Sequence, residues 1–200
     1  VIFDVTNQLT YPEYYRALLR VWSDFRQLGN RTPQVAFLTP FWNPAKVVGE
    51  LWRDLYRPGV HPALWFRWEG KPLVLADPKL IPDDQEDAAR IKEFFTFRKP
   101  QPDYFQGPTK PDMWGWLEVY PQHVFRNTRE EKEQMTVGVA QNAVGDRLAC
   151  MSEPGARGRS HHDGATDPRP NAVHYGLNVA EQWERALAED PRFIFITGWN

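Results

Sequence analysis

Two hundred residues with 42% hydrophobic content can bury a substantial core, so a single domain over 1–200 is the default expectation. A net charge of −2 with no Lys/Arg block gives no footprint for nucleic acid or an anionic membrane surface, and the apolar runs are far too short for membrane insertion. One cysteine, Cys150, excludes an internal disulfide and a cysteine-rich zinc site.

In chain order, residues 1–5 read as a short strand ending at Asp4-Val5-Thr6-Asn7. Thr10-Tyr11-Pro12-Glu13 has capping-box spacing, and Tyr15, Leu18, Leu19, Trp22 and Phe25 continue at helical spacing to Gly29. A strand over 34–39 precedes a second helix with the stripe Val47, Val48, Leu51, Trp52 and Leu55, which Arg57-Pro58-Gly59 ends. A third strand spans 71–77, a helix 83–94, and a fourth strand 95–98. A Pro-rich loop over 100–111 leads to a fifth strand over 113–120, and a sixth covers 135–142. A Gly/Pro/His loop fills 143–176, a helix follows over 178–188, and residues 193–200 form the last strand.

Strand and helix thus alternate about seven times, which means an α/β protein with a parallel sheet and helices outside it. No glycine-rich nucleotide fingerprint follows the first strand, which disfavours a doubly wound dinucleotide fold. A (β/α)8 TIM-type barrel with about seven of its eight strands in this chain fits better, incomplete at both ends.

In a barrel the carboxyl ends of the strands converge on one face. Those ends carry Asp4 and Asn7, Thr39, Asp77, Arg98, Glu118, Gln141 and Asn142, then Trp199 and Asn200. Asp77, directly before Pro78, reads as a turn former. Glu118 follows Trp114 and Trp116 and precedes Tyr120, so aromatic walls are expected to desolvate it and raise its pKa. That makes it the candidate general acid or a supporting carboxylate, against the bland alternative of an ion pair with Arg98. The aromatic content, 14% with nine tryptophans, is often core. Yet a flat aromatic face beside fixed polar groups also suits a sugar ring. His161, His162 and Asp163 lie in the loop stretch Ser160-His161-His162-Asp163-Gly164 and are read as hydrogen-bonding groups over the barrel mouth. Adjacent histidines project apart, so a zinc site there is a weak reading.

Three stretches carry a resemblance: Phe3-Asp4-Val5-Thr6-Asn7, Trp65-Phe66-Arg67-Trp68-Glu69-Gly70-Lys71-Pro72-Leu73 and Thr197-Gly198-Trp199-Asn200. Along essentially its whole length the chain resembles glycoside hydrolases related to families 71 and 99, a group that includes endo-α-mannosidases and family-99-like proteins. The resemblance implies a (β/α)8 barrel, a site at the carboxyl ends of its strands, and an oligosaccharide or polysaccharide substrate. It implies retaining hydrolysis of an α-glycosidic bond, in which one carboxylate deprotonates the substrate's own 2-hydroxyl and another protonates the leaving oxygen. In that family the catalytic pair lies in a Trp-Asn-Glu-Trp-x-Glu run, of which Trp199-Asn200 match the first two positions. The glutamates would follow Asn200, so no residue here inherits their roles, and the isolated chain is expected to be inactive. Glu118 and Asp4 are supporting members on this view. Asn7, Trp114, Trp116, Tyr120, Gln141, Asn142, His161, His162, Asp163, Trp199 and Asn200 are the expected substrate contacts. No cofactor or metal is implied, and the likeness to polysaccharide-degrading enzymes points to a secreted or periplasmic setting. The alternative is a non-catalytic glycan-binding barrel that keeps the aromatic cleft and lacks the acid/base pair. A further alternative is a metal-dependent hydrolase using His161, His162 and Asp163.

Overall fold

In the computed structural model, which describes residues 1–198, the chain divides after Pro100 into two units. In the first, β1 (Ile2–Asp4) leads through α1 (Pro12–Gln27) to β2 (Ala36–Leu38), and α2 (Ala45–Leu51) leads to β3 (Arg67–Trp68) and β4 (Lys71–Leu75). The helix α3 (Ala88–Phe94) then returns the chain to β5 (Thr96–Gln101). β1, β2, β4 and β5 are parallel neighbours, with Asp4 opposite Leu38, Leu38 opposite Leu75 and Leu75 opposite Arg98. Val35, Phe37 and Val74 from the strands meet Tyr15, Leu19, Val47, Leu51, Leu55 and Ile91 from the helical side, all at most 1% exposed. Trp52, Tyr56, Trp65 and Phe95 join this core, so part of the aromatic content is ordinary packing.

Several local expectations change. Tyr11, not Thr10, precedes α1, in a left-handed conformation (φ 51°) with no side-chain cap; the Thr10 hydroxyl bonds Glu50 Oε2 at 3.4 Å instead. Pro12 does occupy the start of the helix, where its missing N–H costs nothing. The helix expected over 83–94 begins only at Ala88. Asp87 before it is left-handed (φ 59°), and its carboxylate is taken by Trp52 Nε1 at 2.9 Å and by Arg57. β3 pairs antiparallel with β4 across Glu69-Gly70, both at positive φ, a tight hairpin that places a short strand ahead of the one expected over 71–77. Asp77 is the turn former expected, accepting from the Lys79 N–H at 3.0 Å and pairing with Lys99 at 3.0 Å.

The second unit contains β6 (Met113–Gly115), β7 (Phe125–Arg126) and β8 (Lys132–Gly138). Two short hairpins follow, β9 (Ala143–Val144) with β10 (Arg147–Leu148) and β11 (His161–His162) with β12 (Ala165–Thr166). The helix α4 (Leu177–Glu189) then feeds β13 (Phe193–Thr197). β13 lies parallel to β8, Phe193 opposite Gln134 and Thr197 opposite Gly138, and β7 lies antiparallel on the other side. Met135 and Val137 of β8 pack against Ala186, Val179 and Trp183 of α4. The fifth expected strand stops at Gly115 instead of Tyr120, because Gln134 occupies the Gly115 N–H and C=O at 2.8 and 3.1 Å. The sixth ends at Gly138, and the supposed loop over 143–176 holds the two hairpins.

The architecture is mixed α/β with a mostly parallel sheet, as the alternation of strands and helices requires. The described residues contain four α-helices, and neither unit closes into a barrel by itself. Among the described residues no helix is long and apolar enough to cross a membrane.

Candidate functional site

The second unit brings a buried acid to the carboxyl end of the β8–β13 pair. After Gly115 the chain turns through Trp116-Leu117-Glu118, and Leu117 fills the space above two glycines. A Cβ on Gly138 or Gly198 would lie 3.2 or 3.3 Å from Leu117 Cδ1, so the bare backbone at both strand ends lets the loop approach. Gly198 also needs its positive φ of 74°, which a side chain would strain.

Side-chain amides clamp the loop in place. Gln182 of α4 donates to the Glu118 carbonyl at 3.1 Å and accepts from the Gly138 N–H at 2.6 Å. Gln122 donates to the carbonyls of Thr136 and Gln182 at 3.0 and 2.9 Å. Asn178 donates to the Gly138 carbonyl at 2.8 Å. All three amides are fully buried and, Gln122 Oε1 apart, their polar atoms are bonded; breaking those bonds would be costly, so the loop has little freedom to leave.

The Glu118 side chain is 0% exposed. Its Oε2 lies 2.6 Å from His123 Nδ1 and accepts the His123 backbone N–H at 3.2 Å. Its Oε1 has no hydrogen-bond partner. Burial pushes the Glu118 carboxyl above its ordinary range, against the opposing pull of His123; the nearby Asp103 adds to the rise. The hydrogen bond to Glu118 raises His123 in turn. Both directions mean that the pair holds a proton firmly. With its side chain 39% exposed, His123 connects that proton to solvent. A buried acid with one unpartnered oxygen and an imidazole route to water can exchange a proton with solvent through His123.

The other expected site residues divide into several groups. Trp114 is fully buried, stacked on Phe193 at 4.6 Å with its Nε1 donating to Glu133 Oε2 at 2.7 Å, so it offers no face to a ligand. Trp116 is half-buried against Tyr104, with ring centroids 5.9 Å apart, and Tyr120 is 38% exposed. Gln141 is fully buried, donating to Asn178 Oδ1 at 2.9 Å and accepting from Arg157 at 3.3 Å. Asn142 is buried with its Oδ1 unpartnered. His161, His162 and Asp163 belong to the β11–β12 hairpin, which is tied to α4 by the Asp163 N–H donating to Glu181 Oε1 at 2.7 Å. His161 Nδ1 meets Thr166 Oγ1 at 3.2 Å and His162 Nδ1 meets the Ser160 carbonyl at 3.3 Å. Among the described residues no group of three or more His, Cys, Asp and Glu could hold a metal ion.

Asp4 and Asn7 belong to the first unit. Both are exposed; Asp4 Oδ1 accepts from the Thr6 N–H and hydroxyl at 2.9 and 2.7 Å. Arg98 pairs with Glu69 at 3.0 Å, while Glu118 is bonded to His123. Trp199 and Asn200 lie outside the described residues. Sequence reasoning passed over His123, Gln122, Asn178 and Gln182. The only trace of the first is a histidine five residues after a glutamate in an aperiodic, Pro-containing loop. The chain matches no protein-family model, no curated protein and no solved structure.

Proposed function

We propose that the chain is the barrel of a carbohydrate-active hydrolase, a retaining α-glycoside hydrolase of (β/α)8 architecture. The observation that carries this reading is Glu118: a fully buried carboxyl with one unpartnered oxygen, at the carboxyl end of the β8–β13 pair. Barrel enzymes keep their chemistry at that end of the strands. The strand-helix alternation of the first unit and the partly exposed Trp116 and Tyr120 add support. In this reading Glu118, whose carboxyl is pushed above its ordinary range by burial, supports the reaction by binding a sugar hydroxyl through Oε1 or exchanging a proton with it, and His123 links that proton to solvent.

The test uses the full-length natural protein with α-linked manno- and gluco-oligosaccharides, following reducing-end release and the anomer formed by NMR. Release with retention, reduced at least ~10²-fold in Glu118→Gln, is the expected result, a factor in the usual range for a positioned acid. Hydrolysis unchanged by that substitution removes Glu118 from the reaction. Saccharide binding without any hydrolysis identifies the protein as the glycan-binding alternative.

A further inference from the structure

The first unit carries an aromatic group that neither the core nor the Glu118 site uses. Trp42 is 77% exposed, and of the large apolar side chains in that unit only the smaller Leu28, just past α1, is as open. It stands on the loop that follows β2, Thr39-Pro40-Phe41-Trp42-Asn43-Pro44. Thr39, Pro40 and Pro44 are buried, so only Phe41, Trp42 and Asn43 emerge. The Thr39 hydroxyl donates to the Leu75 carbonyl at 2.8 Å, fixing one end of the loop, and Pro44 precedes α2 at the other. The Phe41 ring meets the indole edge-on, with centroids 5.6 Å apart and planes at 69°. A short loop pinned at both ends and braced by a second ring holds an indole in place without burying it.

Its surroundings follow from the sheet register. The Val5 N–H donates to the Leu38 carbonyl, and the Thr39 N–H to the Leu75 carbonyl. The β2 loop therefore leaves the sheet between the turn after β1 and the turn after β4, at the same carboxyl edge. The first of these turns carries the exposed Asp4 and Asn7, the second the Asp77–Lys99 ion pair. Asp4 uses Oδ1 for both bonds to Thr6, which leaves Oδ2 free to accept. The Asn7 amide donates to the Tyr11 hydroxyl at 2.5 Å and accepts the Leu9 N–H at 3.2 Å, which leaves its second N–H and second lone pair for a ligand. An apolar face with such polar groups on the neighbouring turns matches a pyranose, whose C–H face stacks while its hydroxyls bond the rim.

We propose that Trp42 is a sugar-stacking residue, forming with Asp4 and Asn7 a binding subsite for a neutral pyranose unit at the carboxyl edge of β1 and β2. This rests on the carbohydrate reading above and adds a binding residue to it. A single exposed aromatic is commonplace on protein surfaces. What distinguishes this one is the pinned loop, the bracing ring and the polar turns that follow the neighbouring strands at the same sheet edge.

The experiment is calorimetric titration of the full-length natural protein with α-linked manno- and gluco-oligosaccharides of increasing length, repeated on Trp42→Ala and Trp42→Phe. For the sugar that binds best, Trp42→Ala should weaken binding about tenfold, and Trp42→Phe, which keeps an aromatic face, distinctly less. Thermal melting should be unchanged in both variants. Equal binding by wild type and Trp42→Ala overturns the assignment of Trp42 and leaves the carbohydrate reading standing. Failure of every saccharide to bind the wild type overturns that reading and this inference with it.

Discussion

Replacing His123 by alanine tests whether Glu118 and His123 share a proton. The substitution leaves Glu118 with one unpartnered oxygen and, on the other, only the backbone N–H of residue 123 at 3.2 Å. Losing a hydrogen bond to a charged group costs about 1.5–3 kcal/mol, and the partial exposure of His123 places the loss near the lower figure. The pH dependence is more diagnostic. Both groups titrate above their ordinary values, 4.5 for Glu and 6.5 for His, in the folded protein. The stability that each contributes is therefore complete below its unfolded value and is lost as pH rises through its folded value. Between 4.5 and 6.5 the unfolded chain gives up its glutamate proton while the raised Glu118 in the folded protein keeps part of its own. Wild-type stability therefore falls with pH there, less steeply than it would without His123, whose hydrogen bond opposes the rise. In His123→Ala the unfolded chain carries none, while folding pulls a proton onto buried Glu118. The variant should then lose up to about 1.4 kcal/mol per pH unit across the same interval. Above the ordinary histidine range the wild type should weaken further, as His123 gives up its proton. Urea denaturation at several pH values measures both trends. A wild-type-minus-variant difference that stays constant between pH 4.5 and 6.5 would refute the shared proton, because a pure packing loss does not titrate. Adding Glu118→Gln to the variant should flatten its profile.

Three further substitutions probe how the loop is held. Gln182→Leu orphans the Gly138 N–H and the Glu118 carbonyl, each buried group costing about 1–3 kcal/mol, and chemical denaturation should show a combined loss of about 2–6 kcal/mol. Gly107→Ala places a methyl 2.9 Å from His123 Nε2 and closer still to the ring carbons. The imidazole should be displaced at a cost of about 1–3 kcal/mol, and its NMR titration should fall back towards the ordinary histidine value. Trp114→Ala, at a fully buried position stacked on Phe193, should cost about 3–5 kcal/mol in urea denaturation; a loss below about 1 kcal/mol would contradict its core role.

The Glu118 environment was half legible. A glutamate among Trp114, Trp116 and Tyr120 reads as desolvated, and burial does raise its pKa. The walls are different, however. Trp114 faces Phe193 and Glu133, and the amides of Gln122 and Gln182 clamp the Glu118 loop. Gln182 and Asn178 look like the solvent face of an amphipathic helix in one dimension. They are buried because α4 lays its N-terminal half over the end of β8, where free strand-end N–H and C=O groups need partners.

The sequence by itself determined the strand-helix alternation of the first unit, α1 and α4 to within a few residues, the turn at Asp77-Pro78 and the parallel sheet that such alternation entails. These follow from local periodicity and from the φ restrictions of proline, which act over a few residues. The seven-fold alternation does not extend into the second unit, where β6 to β12 follow one another before α4. Tertiary structure alone decided that β6 stops at Gly115, that Glu69-Gly70 turns a hairpin and that 161–166 forms another. It also decided that His123 is the residue that meets Glu118. The strand end and the partner of Glu118 depend on groups brought together from separate turns or strands: Gln134 reaching Gly115, Leu117 lying over Gly138 and Gly198, and His123 folding back onto Glu118. Loops carry no period, so the partner of a loop carboxylate is set by the packing beneath it.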